Sequence, residues 1–174
     1  RDILSILWGT GGADKRYNGN SNENQKQIQN NNKSPKAGGF SWMKPEGISA
    51  LPNTVSVQKF SGQKASEIDT AGWTNTAKRG SGYWKVAVDQ QPTSTFAVTL
   101  YFGDEELGNI SDPANNLILA KYDPNTHTWT PFPRTTDAGA NWASYVDWPN
   151  RTVTVKGLTD FGGASLYSEF ALTD

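Results

Sequence analysis

Three adjacent carboxylates, Asp104, Glu105 and Glu106, and a solitary histidine, His127, are the residues whose types best suit acid–base work. A glycosidase needs two carboxyl groups facing each other across a bond, about 5 Å apart or more than about 6 Å apart. Neighbours on one turn do not face each other in that way. A serine triad would have to recruit His127, and the chain contains no G-x-S-x-G elbow. Zinc would call for more histidines or for thiolates, and there is no cysteine. These residues point away from an enzyme. Hard oxygen ligands gathered in a loop suit calcium better. Asp104, Glu106, Asn109 and Asp112 form the candidate calcium set, and no other cofactor is expected.

Aromatic residues offer a second kind of chemistry. Trp142, Tyr145 and Trp148 lie close together in a short segment. Exposed rings of this type stack against the C–H faces of sugars, so the cluster is a candidate polysaccharide-binding site. Its competing explanation is packing, which is the expectation for Trp84 and Trp129. Neither G-x-G-x-x-G nor a phosphate-binding loop is present. With 16 basic and 17 acidic residues and no basic run, the chain lacks the electrostatic footprint of a nucleic-acid binder. No apolar run approaches the length of a membrane-spanning helix. The chain opens on Arg1 rather than Met, which fits a processed secreted form or a piece of a longer protein.

The elements that must carry these residues read as strands. "YWKVAV" (83–88) and "TFAVTLYF" (95–102) alternate apolar and polar positions, as half-buried strands do. "NTVSVQKF" (53–60), "LILAKY" (117–122), "RTVTV" (151–155) and "LYSEFAL" (166–172) follow suit. "DPNTHT" (123–128) is a hairpin turn with proline at its second position, and "WTPF" (129–132) is the return strand at a proline-marked edge. "NWASYVDWPN" (141–150) supplies another strand and turn, and "DEEL" (104–107) a single helical turn. About nine short strands separated by turn signals, with no amphipathic helix, predict an all-β antiparallel sandwich.

The order of these segments resembles a β-sandwich domain of large secreted and cell-surface proteins of Bacteroidetes, one that often lies just before a type IX secretion sorting domain. The likeness rests on several motifs. They are the Tyr83-Trp84 pair, the aromatic-ended strand running into Asp104-x-Glu106-Leu107, and Leu117-x-Leu119-x-x-Tyr122 followed by Trp129. "TVTVKGLTDF" (152–161) and "SEFAL" (168–172) complete them. It covers residues 83–172. It implies a sandwich fold, an extracellular location and a non-catalytic structural or adhesive role, and it carries over no catalytic residues. Asp69-Thr70-Ala71 also matches the short pattern used for O-glycosylation in that group, which makes Thr70 a candidate. The segment 133–150 is longer than the family's turn, "GGASLY" (162–167) interrupts its end, and residues 1–50 fall outside it.

The N-terminus stands apart. "ILSILW" (3–8) is the most apolar run, and it is followed by a polar arm in which ten of residues 18–32 are Asn or Gln. The expected division is therefore an N-terminal strand and arm (1–39) and a sandwich (40–174). Loops beyond about 15 residues are uncommon unless functional. Two readings compete: the strand belongs to its own sheet, or it is donated to a neighbour. The second makes Ile3, Leu4, Ile6, Leu7 and Trp8 an assembly strand and copies of the chain its partners, joined into a filament or tube. The sequence thus favours a secreted, self-assembling surface subunit. A carbohydrate-binding module, or an accessory domain of a secreted polysaccharide-degrading enzyme, are the alternatives.

Overall fold

The structure, a computed structural model, describes residues 2–8, 16–20, 40–43, 52, 54–66 and 79–174. Thr70 and most of the Asn/Gln-rich arm lie outside the described residues. Of Ile3 and Trp8 only the backbone is described.

Among the described residues twelve strands, numbered along the chain, form two six-stranded sheets. The first runs β2 (Arg16–Asn20), β1 (Asp2–Trp8), β6 (Phe96–Tyr101), β11 (Thr152–Leu158), β10 (Ser144–Asp147), β9 (Arg134–Thr135). The second runs β3 (Phe40–Met43), β4 (Thr54–Phe60), β5 (Tyr83–Val88), β12 (Tyr167–Thr173), β7 (Ile118–Asp123), β8 (Thr128–Pro131). Among the described strands, β9 and β10 are the one parallel pair. The all-β sandwich is the architecture that the alternating pattern predicts. Three strands lacked a strand signal in the sequence. β2 is the polar "RYNGN", β3 is short, and β9 has two residues. All three lie at sheet edges, where a strand has one partner and carries the weakest pattern.

The core follows from period-two alternation. Val98 and Leu100 of β6 and Val153 and Val155 of β11 point inward from the first sheet. Trp84, Val86, Leu119, Phe170 and Leu172 meet them from the second. β1 joins this core through Leu4 and Ile6, both fully buried, and each contributes about 1.5–3 kcal/mol by leaving water. Its register with β6 is unbroken from Leu4–Leu100 to Trp8–Phe96. Within this chain the N-terminal strand is therefore an interior strand of the sandwich, not an appendage to it. The backbone of Arg16–Asn20, part of the expected arm, pairs with it as β2.

The two sheets are also tied by charge. Glu106 lies in a short 3-10 turn, Asp104–Glu106, just after β6. Its carboxylate is 2% exposed and pairs with Lys59 of β4 in the opposite sheet. It also accepts the Gly103 amide at 3.0 Å. Lys59 in turn sits over the Trp84 ring. Breaking a buried pair leaves an uncompensated charge. Because the Lys59 side chain is 22% exposed, the penalty should fall below that of a sealed pair. Glu106→Ala is expected to lower unfolding stability by about 2–3 kcal/mol, and Glu106→Gln by less, as read from urea midpoints at constant slope.

Candidate functional site

The oxygen-rich loop does not assemble as a metal cage. Glu106 turns inward to Lys59 and the Gly103 amide. Asp104 stays 80% exposed and reaches Arg151 at 3.4 Å. Asp112 accepts from Asn115, and Asn109 is exposed. Among the described residues no three acidic or histidine side chains group together. The expected calcium set is thus pulled apart by packing: its one buried carboxylate already has a cation and a backbone donor. His127 is exposed in its turn, with a ring nitrogen 3.4 Å from the Tyr122 hydroxyl.

A second buried carboxylate, Glu169, was not singled out by the sequence. It faces away from the core on β12 and accepts the Ser66 amide at 2.9 Å. Trp129 donates its indole N–H to the Ser66 carbonyl, also at 2.9 Å. Together they pin the stretch after β4 across the outer face of the second sheet, over a cluster of Ala65, Ala120, Tyr122, Trp129 and Ala171. Both buried carboxylates are therefore engaged by backbone amides, and they belong to opposite sides of the second sheet's packing.

The three aromatic residues of the candidate sugar site part company. Ser144 and Val146 of β10 face the core, so Tyr145 between them faces out. Trp148 packs on the core beside Phe102, at 6.2 Å between ring centroids. The Arg151 guanidinium covers its other side at 3.8 Å. Trp142 leans on Phe132, also at 6.2 Å, yet is 50% exposed. Its φ is +58°, a left-handed conformation that costs a non-glycine residue about 1–2 kcal/mol. Only Trp142 presents a large open ring.

Tyr145 instead joins a row of hydroxyls across the outer face of the first sheet. The registers align Ser5, Thr99, Thr154, Tyr145 and Thr135 on five neighbouring strands. Thr99 and Thr154 share a 2.7 Å hydrogen bond, and Ser5 donates to the Tyr101 hydroxyl at 3.3 Å. The alternation of Thr99, Tyr101, Thr152 and Thr154 was readable in the sequence, but their alignment into rows needs the register. A polar cleft of about 580 Å³ is bordered by Lys64, Arg79, Gly80, Gly82, Gly108 and Asn109. A β-carbon on Gly108, whose φ is +53°, would meet the Arg79 carbonyl at 2.4 Å. The cleft wall is a close joint of backbone on backbone.

No family model, curated protein or solved structure matches the chain.

The Glu169 knot has a measurable pH signature. Burial, then the Glu169 charge, then Tyr167, raise the Tyr83 phenol above its usual value of 10.0. The folded state therefore holds this proton more tightly than the unfolded chain does. Its contribution is complete below pH 10 and is lost as pH rises through the elevated value. Tyr83→Phe is expected to make the melting temperature fall less steeply above pH 10 than in the parent, with parallel curves at lower pH.

Proposed function

We propose that this chain is a non-catalytic structural or adhesive module of a secreted or cell-surface protein, and that its copies associate by exchanging the N-terminal hairpin. The observation that carries the reading is the position of β1. It is a core strand, buried at Leu4 and Ile6, and it is paired antiparallel with β2. Among the described residues, the hairpin it forms with β2 pairs with the rest of its sheet along β6 alone. Residues 21–39 connect that hairpin to β3. Extended, a chain of this length can reach roughly 60 Å. A neighbour's hairpin could occupy the same place on β6 with the same register and the same burial. Exchange of an identical element is a low-cost route to association, and exchange that does not close generates a filament.

Two further observations support the reading. The β8 edge of the second sheet ends in Pro131 and is followed by Pro133, residues that block strand addition. The opposite side of the sandwich, where β2 and β3 lie, carries no proline within either strand. The motif order over residues 83–172 resembles bacterial surface-protein sandwiches, which favours an extracellular role.

The absence of native cysteine makes the test direct. Ser5 and Thr99 are register partners on β1 and β6, and facing strand positions lie within disulfide range. Chains carrying only Ser5→Cys and chains carrying only Thr99→Cys would be unfolded together, refolded and oxidised. Hairpin exchange predicts a disulfide-linked heterodimer at a level well above that of a control pairing Ser5→Cys with an exposed Asn125→Cys. Cross-linking no greater than the control would remove exchange from the account.

A further inference from the structure

We propose that Trp142 is a stacking platform for a pyranose ring of a neutral polysaccharide, a site independent of the hairpin. Three observations converge on it.

First, it is exposed where other large apolar side chains are not. Among the described residues Trp142 is the one large hydrophobic side chain left open to solvent.

Second, it is held open by a rigid mount. The Trp142 amide donates to the Lys156 carbonyl at 2.9 Å, and Asn141 bridges to Lys156. β11 bulges just there, between Val155 and Leu158. Gly157, at φ +79°, leaves room for the Asn141 side chain, whose β-carbon would lie 2.9 Å from any β-carbon at position 157. The preceding turn is closed by Asp137, which accepts the Gly139 and Ala140 amides. This scaffold keeps a bulky residue in the left-handed region, where glycine would sit without strain. Asp112, His127, Arg151 and Leu166 share this backbone region; of the five, Trp142 is the one that combines it with an exposed large hydrophobic side chain.

Third, the surroundings select the ligand. The neighbouring positions Thr136, Asp137, Ala138, Gly139 and Asn141 are exposed and small or polar. A protein interface needs a contiguous apolar centre ringed by polar groups, and one isolated indole does not provide it. A pyranose with equatorial hydroxyls presents an apolar C–H face one ring wide, with hydroxyls at its rim. The electron-rich face of an aromatic ring suits those C–H groups, and the exposed Asn141 amide has both a donor and an acceptor for the rim. Trp148 cannot take the same role, because Arg151 already covers it. Tyr145 faces the hydroxyl row instead.

The test is affinity electrophoresis in gels containing a soluble β-1,4-linked glucan, a xylan or a mannan, using the full chain. The variants are Trp142→Gly, Trp142→Phe and, on the other face, Tyr145→Ala. Each is also melted. At least one polysaccharide is expected to retard the parent and Tyr145→Ala alike. Trp142→Gly should weaken that retardation severalfold, up to about tenfold, the scale of one lost aromatic stack, and Trp142→Phe should weaken it less. Trp142→Gly should also melt at or above the parent temperature, because glycine relieves the left-handed backbone. Three results would overturn the proposal. One is no retardation of the parent on any of the three polymers. Another is a drop of several degrees in the melting temperature of Trp142→Gly, which would make the ring a structural cap on Phe132. The last is a Trp142-dependent oligomer in sedimentation without glycan binding, which would make it a protein contact.

Discussion

β6 is a strand that needs a partner on both sides, and the rest of the molecule is arranged around meeting that need. Its inward residues, Val98 and Leu100, are fully buried. Its backbone is matched by β11 on one flank and by β1 on the other. Without β1 it would become an exposed apolar edge, a template for any passing strand. The chain satisfies this requirement with its own N-terminal segment. That segment covers the edge of β6 with main-chain hydrogen bonds and fills the core with Leu4 and Ile6 in the same act. The polar β2 then takes the edge position, so an apolar strand is not left at the margin.

The same alternation that builds the core divides the surfaces by chemistry. Inward positions are aliphatic and aromatic. The outer face of the first sheet is a field of hydroxyls running from Ser5 to Thr135. On the outer face of the second sheet, the stretch ending at Ser66 is fastened by Glu169 and Trp129. Buried charge is confined to a few places, and each carboxylate there has its backbone donor. Among the described residues, the ring of Trp142 is the one large apolar side chain left open to solvent.

Much of this was legible in the sequence. Alternation in 83–88, 95–102 and 151–155 gave strands that the structure shows at β5, β6 and β11. The prolines of "WTPF" placed β8 at an edge, and "DEEL" became the predicted single turn. "ILSILW" stood out as the most apolar run and is the strand β1, with Leu4 and Ile6 buried. Other features depend on tertiary contacts that no local pattern records. β2 is polar and gains its place only by facing β1. Glu106 looked like a loop ligand because nothing in "GDEEL" announces Lys59 approaching from the other sheet. Trp142, Tyr145 and Trp148 looked like one cluster because sequence spacing does not reveal that one faces out, one is roofed by Arg151 and one stands free. The hydroxyl row likewise needed register, which is a property of pairs of strands.

The central claim is that the N-terminal strand is an integral part of the folded core, sharing the fate of β6. Hydrogen exchange read by mass spectrometry tests it most directly, on peptides covering residues 1–8 and 96–101 of the full chain. The account predicts that the two peptides are protected to the same degree and lose protection together as denaturant is raised, because neither strand is stable without the other. Rapid exchange across residues 1–8 beside a well-protected β6 would contradict it, and would mean that the sandwich closes without its first strand.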